Sequence, residues 1–151
     1  MSTEFASPQA LLEAVGADLG TTDWVTITQE QINQFADATL DNQWIHVDTE
    51  RAKAGPFGAP IAHGFLTMSL AGHFLAQLAR VEGISMGINY GADKVRFPSP
   101  VPVGSRLRAR GEILDVKEVP GGVQATTRIT IERDGGDKPA AIVDTVSRYM
   151  S

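Results

Sequence analysis

The fold is decided by residues 61–80, IAHGFLTMSLAGHFLAQLAR. This stretch is apolar on nearly every side of a helix, with small residues interspersed. A helix that is apolar all round is normally buried in a core. Polar residues such as Thr67 and Gln77 interrupt the stretch and make it too polar for a membrane span. We therefore predict one long, buried helix at the centre of a folded domain.

The chain after this helix alternates with a period of two, which is typical of strands with one buried face. Predicted strands lie at residues 94–97, 106–110, 123–132 and 140–149. Glycine-rich turns at residues 120–122 and 134–136 separate consecutive strands. The adjacent apolar residues Ile113 and Leu114 break the alternation and predict a β-bulge. We predict an α+β fold in which an antiparallel sheet wraps around the long helix. The same order of helix and strands also occurs in other α+β folds, so the pattern alone does not identify one of them.

The chain before the long helix predicts two short helices and a strand. Ser7-Pro8 favours the start of a helix over residues 8–15, because serine is a good N-cap and proline fits the first helical position. Residues 24–27 have the β-branched and aromatic content of a strand. Thr28 and Gln31 have the spacing of a capping box and predict a second helix.

The length of 151 residues is typical of one domain. We expect a single domain over residues 1–151, with the helix at 8–15 as an extension. A formal net charge of −5 argues against binding nucleic acid or an anionic membrane. The lack of cysteine excludes disulfides, thiolate catalysis and cysteine-ligated zinc. The N-terminus has no basic region before an apolar run, as a signal peptide would, so we expect a soluble, cytoplasmic protein.

Asp41 and His46 are candidates for chemistry. They lie in the segment DNQWIHVD, residues 41–48, which has neither a helical nor a strand period. Irregular segments on a rigid scaffold often carry catalytic groups. A carboxylate and an imidazole can act on one water, with one group holding it and the other exchanging a proton. The alternative is ordinary turn chemistry for Asp41, an N-cap role for Asp48 and a surface position for His46.

His63 and Gly64 stand at the start of the predicted long helix. Amide groups in the first turn of a helix lack internal partners and carry the positive end of its dipole. Gly64 would let an acceptor such as a thioester carbonyl approach these amides closely. The alternative is that Gly64 relieves crowding where the helix enters the core. The remaining histidine, His73, lies within the helix pattern, and we expect it to find a local partner.

No motif in the sequence indicates a cofactor or a metal. The chain has no P-loop, dinucleotide-binding, nucleophile-elbow or HExxH pattern. Asp41, His46, Asp48 and His63 are ligand types for zinc or iron, but their spacing matches no local metal motif. We therefore predict neither a metal nor a cofactor.

Three blocks of the sequence together resemble one family. They are FADATLDNQWIHVD (residues 35–48), IAHGFLTMSL (61–70) and INYGADKVRFPSPVPVGSRLRARGEI (88–113). In order and spacing they resemble the MaoC-like (R)-specific enoyl-CoA hydratases. Among these, the chain is similar to the small single-domain actinobacterial type related to nodulation protein N. The resemblance extends from about residue 24 to residue 149.

The resemblance implies a hot-dog fold, a homodimer of two such domains, and a hydro-lyase of fatty acid and lipid metabolism. The implied reaction is reversible addition of water to trans-2-enoyl-CoA to give (R)-3-hydroxyacyl-CoA, without a cofactor. The family's catalytic aspartate and histidine fall on Asp41 and His46, and its oxyanion-hole glycine falls on Gly64.

We expect substrate binding by Gln43, His63 and Asn89. The more widespread family pattern has an Asn-Pro pair where this chain has Gln43-Trp44, and Gln43 keeps an amide one methylene longer. Asn89 is expected to face the substrate across the dimer. The substrate is expected to be an acyl thioester of coenzyme A or of acyl carrier protein.

Two other functions stay open beside hydration. A hot-dog thioesterase would hydrolyse the acyl thioester and release free thiol. A non-catalytic acyl-thioester binder, or the inactive subunit of a heterodimer, would need none of Asp41, His46 and Gly64. For the hydratase, we expect a water between Asp41 and His46 to attack C3, with His46 as the base and Asp41 returning a proton to C2.

Overall fold

Eight strands and five helical segments make up residues 2–151, the part of the chain that the computed structural model describes. In chain order they are β1 (Thr3–Phe5), a 3-10 helix (Pro8–Glu13), β2 (Asp18–Thr21), β3 (Val25–Thr26), α1 (Gln29–Thr39), α2 (Trp44–Val47), α3 (Thr49–Lys53), α4 (Gly64–Leu78), β4 (Ala79–Val81), β5 (Met86–Arg96), β6 (Arg106–Val119), β7 (Gly122–Arg133) and β8 (Ala141–Met150).

One antiparallel sheet forms the body of the fold. Its strand order is β2-β6-β7-β8-β5, and β3 pairs with β6 as well. The predicted turn before β7 ends at Gly122, and the predicted turn between β7 and β8 contains Gly135, whose φ of 77° favours glycine. The register of β6 on β7 shifts between Ile113 and Asp115, which confirms the predicted bulge. β1 and β4 form a separate parallel pair, which the sequence did not predict.

Helix α4 packs on the sheet, in contact with β6, β7 and β8. Phe74 and Leu78 are at most 1% exposed and belong to the hydrophobic core. Burying a side chain of this size stabilises the fold by about 1.5–3 kcal/mol. Gly111 of β6 allows the close approach, because a Cβ atom there would lie 2.9 Å from Cδ1 of Leu78. The predicted central helix against an antiparallel sheet is therefore confirmed.

One face of α4 stays uncovered, so the prediction of a helix buried on all sides is wrong for the single chain. Phe65 is 67% exposed, and Gly72, His73 and Ala76 are exposed as well. The neighbouring edge strand β5 is exposed along almost its whole length. An apolar helix pattern does not tell whether the chain's own sheet or another surface covers each face. His73 has the expected local partner, since its Nε2 lies 3.0 Å from Nε2 of Gln77.

A groove with a volume of about 1060 Å³ lies between α4, β5 and β8. Its lining begins on α4 at Phe65 and continues through Ser69, Gly72 and Ala76, so it follows the uncovered face of the helix. Leu66, the residue after Phe65, is buried in the hydrophobic core instead. The groove therefore adjoins the amino end of α4 and extends along the helix.

The capping residues named from the sequence are confirmed for α1, for α3 and for the 3-10 helix. Thr28 and Gln31 form the reciprocal capping box of α1. The Ser7 side chain accepts a hydrogen bond from the Ala10 amide, although the segment is a 3-10 helix that ends at Glu13 rather than a helix to residue 15. The Asp48 side chain caps α3 through the Arg51 amide. These local contacts set the chain's path on both sides of residues 41–48.

Strand β5 and helix α2 also differ from the prediction. Strand β5 begins at Met86 rather than at residue 94, because Gly87, Gly91 and exposure on both faces remove the alternation. Helix α2 occupies part of the segment that we expected to be irregular, and its four residues are too few to show a period. Within residues 2–151, no helix combines the length and the apolar character that crossing a bilayer would require.

Candidate active site

Three backbone segments bring the candidate residues together. Asp41 follows the end of α1, where Leu40 takes the left-handed conformation with φ of 64° and turns the chain. His46 lies on α2, and His63 is the N-cap of α4. One nitrogen from each of the two histidines and one carboxylate oxygen of Asp41 all lie within 4.8 Å of one another. Residues that are 22 positions apart in sequence therefore form one cluster.

The ring of His46 is held in one orientation. It is only 6% exposed, and its Nδ1 lies 2.6 Å from the carbonyl oxygen of Ile61. Because a carbonyl can only accept, Nδ1 carries the hydrogen and Nε2 keeps its lone pair. The Gln29 side chain donates to the backbone carbonyl of His46 at 2.8 Å and ties α2 to α1. His46 therefore presents Nε2 as a potential proton acceptor.

The surroundings of His46 favour its neutral form. Burial lowers the pKa of His46 below the value of 6.5 that is usual for an imidazole, and the charge of His63 lowers it further. The hydrogen bond to Ile61 and the carboxylate of Asp41 raise the pKa but do not offset the burial. At neutral pH, His46 is thus ready to take a proton, as a general base must be.

Asp41 supplies an exposed carboxylate beside this buried imidazole. A water that makes two hydrogen bonds of about 2.8 Å links groups that lie about 4 to 5 Å apart. The separation of at most 4.8 Å between the ligand atoms of Asp41 and His46 fits such a water. The arrangement can hold one water molecule and remove its proton.

His63 contacts both members of this pair. Its ring stacks on that of His46, with the centroids 3.8 Å apart and the planes inclined by 21°. Its Nε2–H donates to the backbone carbonyl of Asp41 at 3.0 Å. Phe35 packs against the ring with the centroids 4.9 Å apart. His63 is only 2% exposed, so it lies beneath the pair, and its predicted role in substrate binding stays a prediction.

Gly64 is the first residue of α4, as the sequence predicts for the start of the long helix. The His63 side chain makes no cap hydrogen bond there, and the first amides of a helix have no intrahelical acceptor. A Cβ atom on Gly64 would lie 2.9 Å from the ring of Phe97. Gly64 therefore relieves crowding against Phe97, and it also starts a helix whose first amides have no acceptor within the helix.

Gln43 and Asn89, the other predicted substrate-binding residues, lie outside the cluster. Gln43 is exposed and precedes α2 without a side-chain cap bond. Asn89 lies within β5 rather than before a strand, and it lines the same groove as Phe65. Trp44 packs against Gly55 and beneath the Arg51 guanidinium, which is 4.3 Å from its ring centroid. The bulk of Trp44 therefore supports the loop after α3.

The stacking of the two histidines argues against one metal ion bound by both. An imidazole binds a metal through an in-plane lone pair at about 2.0–2.1 Å. Rings that stack face to face direct these lone pairs into separate planes, and no ion at that distance lies in both. Asp41, His46 and His63 are near enough to form a metal site only if one ring turns away from the other. The stacked arrangement suits proton transfer better than metal binding.

Sequence reasoning missed two supporting residues. Gln29 binds the carbonyl of His46 across 17 positions, and Phe35 covers the ring of His63. Both lie on α1, whose capping box was predicted, and each contacts one of the two histidines. The sequence predicts that this segment is a helix, but it does not indicate which distant residues Gln29 and Phe35 contact.

Comparison with known proteins supports one family. Residues 10–133 match the MaoC like domain. The chain is 52% identical over 148 residues to 3-hydroxyacyl-thioester dehydratase Z of Mycobacterium tuberculosis, covering 97% of this chain and 98% of that protein. It is 46% identical to nodulation protein N of Rhizobium meliloti, covering 83% of this chain and 80% of that protein.

The fold has solved counterparts. An (R)-hydratase from A. caviae involved in PHA biosynthesis superimposes with a TM-score of 0.73 and 26% identity, covering 89% of this chain and 96% of that one. This likeness, with the antiparallel sheet and central helix, confirms the predicted hot-dog fold. The matches in sequence and structure agree with each other, and the chain belongs to the MaoC-like dehydratase family.

Proposed function

We propose that this protein is a hydro-lyase that reversibly dehydrates 3-hydroxyacyl thioesters and hydrates the corresponding trans-2-enoyl thioesters. The pairing of Asp41 with His46 carries the proposal, because a carboxylate oxygen of Asp41 lies within 4.8 Å of a ring nitrogen of the buried His46, whose Nε2 is left free by the bond from Nδ1 to Ile61. The dehydratase that is 52% identical over nearly the whole chain supports the same reaction class.

In the hydration direction, the water lies between the Asp41 carboxylate and Nε2 of His46. As the water oxygen bonds to C3, His46 takes one of its protons, and the electron pair of the double bond moves towards the thioester. The proton taken by His46 passes to the Asp41 carboxylate, which in our proposal delivers it, as the protonated acid, to C2 of the resulting enolate. The net change is hydroxyl at C3 and hydrogen at C2, with the enzyme unchanged.

The amino end of α4 stabilises the enolate oxygen in this proposal. Negative charge on the thioester oxygen develops in the transition state, and preorganised amide donors act on such charge most strongly. The Gly64 amide and the positive end of the α4 dipole are suited to this role. The acyl chain then enters the groove at Phe65 and Ser69, and the thioester belongs to coenzyme A or to acyl carrier protein.

We further propose a homodimer, formed through β5 and the uncovered face of α4. A strand with unpaired backbone groups at a sheet edge is a template for pairing, and β5 exposes Ile88 and Tyr90 there. A second copy would close the open side of the groove and bring its own β5 against it. The lack of cysteine supports our related proposal of a cytoplasmic location, which cell fractionation would test.

The dimer has a direct test in solution. Light scattering is expected to give twice the 16.2 kDa of one chain. Ile88→Lys, which puts a charge on the exposed edge, is expected to lower this mass towards that of a monomer. A monomeric wild-type protein at the concentrations used for activity assays would contradict the proposal.

The reaction itself is tested with crotonyl-CoA and longer enoyl-CoA substrates. We expect the ultraviolet absorbance of the conjugated enoyl thioester to disappear, with (R)-3-hydroxyacyl-CoA as the product in chiral analysis. A thiol reagent in the same cuvette reports free coenzyme A and is expected to stay silent. Thiol release would favour the thioesterase, and ligand-dependent melting without turnover of any chain length would favour a non-catalytic binder.

A further inference from the structure

His63 occupies a position where its polar atoms are costly. It is 2% exposed, and its Nδ1 is buried without a hydrogen-bond partner among residues 2–151. A buried polar atom without a partner destabilises the fold, because it has lost its hydrogen bonds to water and gained none in exchange. A phenylalanine could pack between Phe35 and His46 without this cost. The presence of histidine rather than phenylalanine at this position is therefore explained by the hydrogen bond that its other ring nitrogen makes.

That other nitrogen anchors the backbone of Asp41. Nε2–H of His63 donates to the Asp41 carbonyl at 3.0 Å, directly after Leu40 turns the chain in the left-handed conformation. Leu40 is exposed and supplies little packing of its own, and the Asp41 side chain is also exposed. The bond from His63 is thus a principal tertiary restraint on the residue that carries the carboxylate.

The ring of His63 performs a second task by supporting His46. The two rings lie 3.8 Å apart and nearly parallel, while the bond from His46 to Ile61 fixes the far edge of the His46 ring. His63 also directly precedes Gly64 at the start of α4. A single side chain is therefore in contact with the carboxylate residue and with the imidazole, and its own backbone is bonded to the glycine.

We propose that His63 is a positioning residue, which holds Asp41 and His46 at the separation that one water can span. It bonds the backbone of Asp41 and stacks on the ring of His46. This inference rests on the proposed function. Its chemical consequence is that loss of His63 lowers kcat more than it changes KM, because a side chain that is only 2% exposed offers little surface to the substrate.

The electrostatic consequence has the same origin. The titratable groups that face His46 within the described chain are His63, at the start of α4, and Asp41, after α1. Burial lowers the pKa of His46, and His63 lowers it further, while Asp41 raises it. Removing the charge of His63 should raise the pKa of His46, and the acid limb of kcat/KM should then move to higher pH.

The first test uses the wild-type protein without substrate. Nitrogen NMR of the imidazoles distinguishes protonated from unprotonated ring nitrogens, and the chain has only three histidines. We expect a hydrogen on Nδ1 but not on Nε2 of His46, and a hydrogen on Nε2 of His63. An unprotonated Nε2 of His63 at neutral pH would overturn the proposal, since it could not donate to Asp41.

Two matched variants then separate the contacts. His63→Phe keeps a ring against His46 and removes the bond to Asp41, whereas His63→Gln keeps an amide donor near the position of Nε2 and removes the stack. Misplacing catalytic groups by about 1 Å can cost about 100-fold in rate, so we expect each variant to lose about 10- to 100-fold in kcat, with KM changed by less than about threefold. The pH midpoint of the acid limb should rise in both.

The outcomes separate this inference from the proposed function. If the wild-type enzyme hydrates enoyl thioesters but either variant keeps wild-type kcat, or both keep the wild-type pH midpoint, the positioning role is wrong. An inactive wild-type protein would count against the proposed function. The NMR measurement would still test whether Nε2–H of His63 donates to the Asp41 carbonyl. If a variant fails to fold, the NMR measurement on the wild-type protein tests the proposal, because it shows whether Nε2 of His63 carries the hydrogen that the bond to Asp41 requires.

Discussion

His46→Gln protein is expected to hydrate enoyl thioesters 10²- to 10⁴-fold more slowly than wild type, which is the usual contribution of a positioned acid or base. This range corresponds to about 3 to 5 kcal/mol of activation free energy. The reason is local: the variant keeps a polar side chain near the water but has no group that can accept its proton. Steady-state kinetics with crotonyl-CoA would measure the loss in kcat.

A second substitution at the same position controls for folding. In His46→Asn, the amide lies near the position of Nδ1 and can keep the hydrogen bond to the Ile61 carbonyl, so this variant should melt close to wild type and still lack the base. Asp41→Asn removes the exposed carboxylate with little change in volume and should lose activity in the same range. A folded variant of either residue with near wild-type kcat would refute the assignment of that residue.

The Asp41 and His46 substitutions are not expected to be additive. The two groups act on one water, and residues that act as a unit show strongly non-additive losses. The double variant should therefore be only slightly slower than the slower single variant. Full additivity would mean that the two residues contribute independently, which would contradict the shared water.

Gly64→Pro in a Phe97→Ala background is expected to lower kcat by about 10²- to 10³-fold relative to Gly64→Ala in the same background, as loss of one oxyanion donor does. Proline has no amide hydrogen but is tolerated at the first position of a helix. His63 has φ of −59° and ψ of 139°, a conformation that a following proline accepts. The substitution therefore removes the donor with little change of backbone conformation.

The background substitution is needed because of the Phe97 ring. Any side chain at residue 64 places a Cβ atom 2.9 Å from that ring, so a single Gly64→Ala variant mixes crowding with chemistry. With Phe97 reduced to alanine, the Gly64→Ala variant keeps the amide hydrogen and the Gly64→Pro variant lacks it, so the ratio of their rates isolates the donor. Equal rates for the two variants would show that Gly64 serves packing only, which was the alternative stated from the sequence.

Local features were predictable where neighbouring residues determine them. The capping box at Thr28 and Gln31, the bulge after Ile113 and the start of α4 at Gly64 each depend on a few adjacent positions. Strand β5 was predicted too short because Gly87 and Gly91 carry no side chain to mark a face. The periodicity of a strand is visible only where the two faces differ in their exposure.

The contacts of the candidate site could not be predicted in the same way. The bond from His46 to Ile61 joins residues 15 positions apart, and the bond from His63 to Asp41 joins residues 22 positions apart. The resemblance to a family indicated Asp41, His46 and Gly64, but it did not indicate that the two imidazoles stack or which nitrogen of each carries hydrogen. We expected His63 to bind the substrate, and the structure buries this side chain beneath the pair, so its role in substrate binding stays a prediction.

By itself, the sequence determined the central helix, the alternating strands that follow it, several caps and turns, and the identity of the residues that can carry chemistry, since propensity and periodicity act over a few positions. Only the tertiary structure decided that α4 has an uncovered face, that His46 is buried enough to have a lowered pKa, and that His63 touches both Asp41 and His46. These properties depend on desolvation and packing between distant segments, and both arise only when the helix has docked on its sheet.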